Sequence, residues 1–129
     1  MNPVLETYDV GKILARIGSI LVILAGFVQL GEWAIYVVGD LINYPGQIYI
    51  WPILVVVAGA IAVVFGFLLL FLFLPMVDKN RVMGAVLILI FSIVGAVFAF
   101  EWAIIGGVGA VLCLVAAILF FIEAEGGGA

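Results

Sequence analysis

Four long apolar stretches run through this chain, and their length limits what it can fold into. Each is close to the roughly 20 residues that cross a hydrocarbon core of about 30 Å as an α-helix. The stretches are continuous rather than alternating, which favours helices over the short strands of a membrane barrel. The sequence therefore predicts an all-α, multi-pass membrane protein with four transmembrane helices, at residues 13–30, 50–74, 82–100 and 104–122.

The composition supports lipid rather than water as the solvent. Of the 129 residues, 69% are hydrophobic and 9% are charged, whereas a soluble domain typically carries about 25% charged residues. The net charge of −4 argues against binding to nucleic acid, because phosphates attract basic proteins. The expected partners are therefore a lipid bilayer and other membrane subunits or copies of the same chain.

The four cations set the expected orientation. Lys12 and Arg16 open the first predicted helix, and Lys79 and Arg81 lie between the second and third. The positive-inside rule places all four on the cytoplasmic side. We therefore expect an up-down-up-down bundle in the plasma membrane, with both termini cytoplasmic. Because the first ten residues hold acids and no basic residue, we expect the first helix to be its own signal anchor rather than a cleaved signal peptide.

Two local signals set the expected helix ends. Pro75 is expected to end the second helix, since proline lacks the backbone N–H that a helix interior needs. Residues 31–49 are expected to form the longer of two outer connections, with part of residues 34–38 prolonging the first helix. The second outer connection is short, so the last two helices are expected to form an antiparallel hairpin.

A short internal echo points to a repeat. The tetrapeptide Glu-Trp-Ala-Ile begins at Glu32 and again at Glu101. Duplication of a two-helix unit would relate residues 11–74 to residues 79–124 as a parallel repeat; chance in a chain rich in Ala, Ile and Val is the alternative. In both copies the tryptophan suits a membrane interface, where its ring is half buried and its N–H is wet. The predicted interface anchors are Trp33, Trp51 and Trp102.

The polar candidates lie at the predicted outer face. Glu32 and Glu101 have no basic residue there to pair with, and Gln29 lies one helical turn before Glu32. The simplest interpretation makes the two acids interfacial anchors and Gln29 a hydrogen bond between helices. The functional alternatives are a cation site, a proton-linked site or a contact between subunits.

Small residues recur at the spacing of packed membrane helices. In lipid, helices associate through close backbone approach rather than through the hydrophobic effect. Such a stripe serves packing within one bundle or contact with another subunit, and both uses are kept open. The candidate stripe residues are Gly59, Ala62 and Gly66 in the second predicted helix, and Gly106, Ala110, Cys113 and Ala117 in the fourth.

The residue types that are missing argue against catalysis. The chain has no histidine and one cysteine, so histidine-ligated haem or metal sites and paired-thiol chemistry are not expected. No acid lies near the middle of a predicted helix, where a proton-driven transporter would need one. We expect no enzyme activity, no cofactor and no metal site.

In layout the chain resembles the small four-span (tetraspan) membrane proteins of archaea and bacteria. The likeness rests on the four spans, the longer first outer connection and the Gly, Ala, Ile and Val content of the helices. It implies no catalytic residues. The function expected from the sequence is a structural or assembly subunit that associates laterally, as a homo-oligomer or within a larger complex. The alternative is a small oligomeric channel or transporter with Glu32 and Glu101 at its mouth.

Overall fold

The described part of the computed structural model comprises residues 7–44, 46 and 50–126, and it is built from helices with no strand. The predicted all-α fold with four helices long and apolar enough to cross a membrane is confirmed. These four are Tyr8–Asn43, Ile50–Lys79, Arg81–Phe98 and Phe100–Ile122. The elements are α1 (Thr7–Asn43), α2 (Ile50–Leu68), a π-helical turn (Leu69–Phe73), α3 (Leu74–Lys79), α4 (Arg81–Phe98), a 3₁₀ turn (Phe100–Trp102) and α5 (Ala103–Gly126).

The first helix is much longer than the expected 13–30 segment. It has 37 residues, which corresponds to about 55 Å at 1.5 Å per residue. Most of the predicted outer connection is therefore helical, although residues 45 and 47–49 lie outside the described part. The helix continues because residues 31–43 contain no proline, and an isolated glycine costs a helix only about 1 kcal/mol.

The expectation that Pro75 ends the second long helix is wrong. The chain stays helical through Pro75 to Lys79, and a π-helical turn at Leu69–Phe73 precedes the proline. In this turn the N–H of Leu74 donates to the carbonyl of Leu69, five residues back. A proline ring ordinarily clashes with the carbonyl four residues before it. The wider π turn relieves that clash, so the helix continues instead of breaking.

Asn80 separates α3 from α4 and starts the new helix. Its backbone is extended, with φ −148° and ψ 98°, and its side chain accepts a hydrogen bond from the N–H of Met83 at 3.1 Å. This is the N-cap arrangement that asparagine favours. One capping residue therefore lets α4 begin immediately at Arg81.

Two glycine pairs bring α1 against its neighbours. A Cβ added to Gly18 would lie 2.5 Å from the carbonyl oxygen of Gly109 in α5. A Cβ added to Gly26 would lie 2.8 Å from the carbonyl oxygen of Gly59 in α2. Both distances are too short for any residue with a side chain. Such close backbone approach is how membrane helices gain dispersion contacts, and it makes α1 the central helix of the bundle.

Candidate functional site

Gln29 is a fully buried amide that forms hydrogen bonds with three backbone groups. Its Nε2 donates to the carbonyls of Val55 at 3.0 Å and Phe98 at 2.9 Å, and its Oε1 accepts from the N–H of Glu101 at 3.0 Å. One side chain of α1 thus bonds α2, α4 and the 3₁₀ turn. Its donors and acceptor are occupied within the chain, so it has little capacity left for a ligand.

The amide of Gln29 replaces hydrogen bonds that the chain loses where α4 ends. Ala99 leaves helical geometry, with φ −90° and ψ 40°, and the N–H of Trp102 bonds Ala99 instead of Phe98. The carbonyl of Phe98 and the N–H of Glu101 would therefore lack intrahelical partners. Buried backbone groups need partners, and Gln29 supplies both. The sequence raised a helix–helix hydrogen bond as one use of Gln29 but could not identify its partners.

The two copies of the Glu-Trp-Ala-Ile tetrapeptide meet in the folded chain. The indole Nε1 of Trp102 donates to Oε2 of Glu32 at 3.1 Å. The other tryptophan of the pair, Trp33, has its ring centroid 5.4 Å from that of Tyr36 in the same helix. Glu32 and Glu101 both have exposed side chains. Together Gln29, Glu32, Glu101 and Trp102 form what we call the glutamate end of the bundle.

A second polar cluster, the cationic end, is formed by Tyr8, Lys12, Asp78 and Arg81. Nζ of Lys12 lies 3.1 Å from Oδ1 of Asp78, and the hydroxyl of Tyr8 donates to the same carboxylate. The Tyr8 ring also lies 4.4 Å from the guanidinium carbon of Arg81 and 5.1 Å from Nζ of Lys12. These contacts join the start of α1 to the α3–α4 junction.

Sequence reasoning named the cations of this end but missed Tyr8 and Asp78. The available signal was that Asp78 is the acid beside Lys79 and Arg81, where a carboxylate can balance nearby cations. Arg16 and Lys79, the other two cations, are exposed and flank the cluster along the chain. The four residues predicted to set orientation therefore lie in or next to one end.

The distance between the two ends matches the apolar layer of a bilayer. Twenty residues of α1 separate Lys12 from Glu32, a rise of about 30 Å. A hydrocarbon core has about the same thickness. Polar side chains thus occur where a spanning protein meets headgroups, and the exposed side chains of α1 between Lys12 and Glu32 are apolar except for Arg16, one turn from Lys12.

The candidate stripe residues lie mainly inside the chain. Gly59 faces Gly26, and a Cβ on Gly66 would lie 2.4 Å from the side chain of Ile23. The Cys113 sulfur is 3.8 Å from the carbonyl of Ala15. Ala110 is half-buried. The other six candidates are buried: Gly59, Ala62, Gly66, Gly106, Cys113 and Ala117.

The three tryptophans are all at or near the glutamate end but differ in exposure. Trp51 is exposed and its ring lies 5.9 Å from that of Phe100. Trp33 and Trp102 are half-buried. A cleft of about 460 Å³ begins beside Trp51 and Phe100 and runs between α2 and α4, with only apolar side chains along it. Within residues 7–44, 46 and 50–126, no three His, Cys, Asp or Glu side chains gather as a metal site would require.

Comparisons of this chain with protein-family models, with curated proteins and with solved structures find no match.

Proposed function

We propose that this chain is a non-enzymatic structural subunit of the plasma membrane, which it crosses four times, and that it associates laterally with other membrane subunits or with copies of itself. One observation carries the proposal. The polar groups and small residues of the interior are used within the chain, while a continuous apolar surface between the two polar ends remains available to partners.

The contacts of α1 support an up-down-up-down course. Tyr8, near the start of α1, bonds Asp78 at the far end of the second long helix, whereas Gln29 bonds Val55 near its beginning. Gly18 and Gly109 relate α1 and α5, and Gly11 lies against Phe120, which gives the same antiparallel sense. By the positive-inside rule the cationic end faces the cytoplasm, as do both termini.

The packed interior supports a structural subunit rather than a solute pathway through one chain. The buried polar side chains of the described part are Ser19, Gln29 and Ser92. Ser19 bonds the carbonyl of Ala15 and Ser92 that of Leu89, and Gln29 is saturated by backbone groups. A polar solute needs unsatisfied groups along its path, and these groups are already paired.

The outer face of α2 and the π-helical turn supports lateral contact. Phe67 and Phe71 stack with ring centroids 5.9 Å apart and an interplanar angle of 13°, and both are exposed. Aromatic side chains supply large contact area at low entropic cost and are enriched at protein interfaces. The Phe67 ring also lies 6.4 Å from that of Phe27 in α1, whereas the cleft beside Trp51 lies between α2 and α4. Exposed apolar surface therefore occurs on both flanks of α2.

The proposal is tested by extracting the full chain from its native membrane with a polymer that keeps the surrounding lipid. Mass spectrometry then gives the mass of each particle and identifies the proteins in it. The proposal expects particles with at least two protein chains. Particles that hold a single copy of this chain and lipid, at all expression levels, would overturn it.

A small oligomeric channel or transporter is the second candidate, favoured by the exposed carboxylates of Glu32 and Glu101 at one end of the bundle. It predicts ion flux in liposomes that falls in Glu32→Gln and Glu101→Gln. Flux that is absent, or unchanged in both variants, removes this candidate and leaves the structural role intact.

A further inference from the structure

Beyond Glu32, α1 continues as an apolar helix past the plane that the glutamate end defines. Residues 33–43, which we call the α1 extension, add a rise of about 16 Å. The headgroup layer on one side of a bilayer is only about 5–8 Å thick. Even a tilt of 40° leaves about 12 Å of extension. The far half of the extension therefore passes the headgroups into water, where lipid tails cannot cover it.

The exposed side chains of the extension are mostly apolar, so their contact with water is unfavourable. Ile35 and Ile42 are 73% and 71% exposed. Apolar residues that are each more than half exposed present on the order of 500 Å² of surface, a size at which patches on monomers mark interaction sites. They are Ile35, Tyr36, Val38, Leu41 and Ile42.

One face of the extension has the geometry of a helix–helix contact. With 3.6 residues per turn, positions 31, 35, 38, 39 and 42 share a face, which we call the α1 ridge. A Cβ added to Gly31 or Gly39 would meet nothing within 4 Å, so both glycines leave room for another backbone. The neighbouring side of the helix is turned to α2, where Ala34 and Val37 line a cleft of about 220 Å³ that Val38, at the edge of the ridge, also borders.

We propose that a second copy of this chain covers the α1 extension, forming a parallel helix pair along the α1 ridge. This rests on the proposed function and names its partner and its surface. Two copies in one membrane share orientation and depth, so each ridge meets the same ridge at the same height, as a two-fold interface requires. Within the extension the ridge presents Ile35, Val38 and Ile42, and the exposed face of α1 in line with them extends the contact toward the roughly 1,000 Å² that a specific interface needs.

The positions of the acidic side chains and the length of the ridge also favour a second copy of the chain as the partner. Asp40 lies about 160° and Glu32 about 80° around the helix from Ile42 near the centre of the ridge, so the line of contact between two copies carries no carboxylate. The ridge also continues down the exposed face of α1 within the apolar layer, which lengthens the contact. The residues in line with it there are Ile13, Ile17, Ile20, Leu24 and Val28, all exposed.

The test uses the full chain in liposomes with Cys113→Ala, so that each variant carries one cysteine. Ile42→Cys places a thiol on the ridge, and Leu41→Cys places one about 100° away at an exposed neighbouring position. Under copper-phenanthroline oxidation we expect Ile42→Cys to form disulfide-linked dimers at least five times faster. Equal rates, or no dimer from Ile42→Cys, would overturn the pairing.

A second variant tests the contact while the cysteine stays at position 42. Gly39→Leu, added to Ile42→Cys, puts a large side chain where the same chain has open space. We expect a loss of cross-linking of at least fivefold with an unchanged helical circular dichroism melt, while Asp40→Asn changes neither. Cross-linking that survives Gly39→Leu would contradict the ridge. Native particles with several chains but no Ile42→Cys dimer would reject this pairing alone; single-chain particles would reject the proposed function too.

Discussion

The side-chain amide of Gln29 donates a 2.9 Å hydrogen bond to the carbonyl of Phe98, the last residue of α4. This contact joins the first long helix to the turn of the last hairpin, 69 residues along the chain. It lies at the boundary between the apolar layer and the glutamate end, where an unpaired carbonyl would be costly. The bundle therefore depends on one polar side chain for the closure of its last hairpin.

Replacing Gln29 by leucine keeps the volume but leaves the Phe98 carbonyl and the Glu101 N–H without partners. We expect Gln29→Leu to lower the free energy of unfolding by about 1–2 kcal/mol, measured by steric trapping in bicelles. Ser92→Ala is the control, because Ser92 bonds a carbonyl within its own helix and its loss should cost no more than about 0.5 kcal/mol. Equal effects of the two variants would contradict the role of Gln29.

The close packing of α1 against α5 at Gly18 and Gly109 gives a second prediction. A Cβ on Gly109 would lie 2.6 Å from the carbonyl oxygen of Gly18, so Gly109→Ala should force the helices apart and cost about 1–3 kcal/mol. Gly107→Ala, two residues away, meets nothing within 4 Å and should be neutral or stabilising by up to about 1 kcal/mol. The same unfolding measurement checks both, and a tolerated Gly109→Ala would show that α1 and α5 do not pack this closely.

The hydrogen bond between Trp102 and Glu32 predicts energetic coupling between the two tetrapeptides. A double-mutant cycle of Trp102→Phe and Glu32→Ala should give a coupling energy of about 0.5–1 kcal/mol. Phenylalanine keeps an aromatic ring but has no N–H. The matched cycle pairs Trp102→Phe with Glu101→Ala, whose exposed carboxylate is not the acceptor, and should give a value near zero. Similar coupling in both cycles would mean that the Glu32 bond is not formed in the membrane.

The orientation has its own test. In a Cys113→Ala background, Lys79→Cys and Glu101→Cys place single thiols at exposed positions on opposite ends of α4. In intact cells a membrane-impermeant maleimide should label Glu101→Cys and leave Lys79→Cys unlabelled until the cells are opened. The reverse pattern would place the cationic end outside, against the positive-inside rule.

The sequence was sufficient to predict the number and type of the long helices. Each apolar run is long and uninterrupted, and lipid forces such a run to satisfy its own backbone as a helix. The predicted gap between residues 74 and 82 contains Asn80, where the structure separates α3 from α4. The location of the cations near one end also follows directly from their positions in the chain.

Other features depend on tertiary contacts that one sequence does not reveal. Pro75 indicates a helix end in the sequence, but the π turn before it accommodates both the proline ring and its missing N–H. The end of α1 could not be placed, because residues 31–43 hold neither a proline nor a clear cap. Gly18 and Gly109 are two glycines among 16, and only their contact distinguishes them. Gln29 likewise owes its role to a break in α4 that occurs 70 residues later.

Lateral association is the central claim, and energy transfer between labelled copies in liposomes tests it most directly. Donor- and acceptor-labelled chains are mixed and diluted with lipid over a hundredfold range of protein-to-lipid ratio. Lateral association between copies predicts a saturable transfer efficiency that exceeds the random-encounter value at low protein density and that falls when unlabelled chain is added. Transfer that equals the random-encounter value at every dilution, together with single-chain native particles, would contradict it.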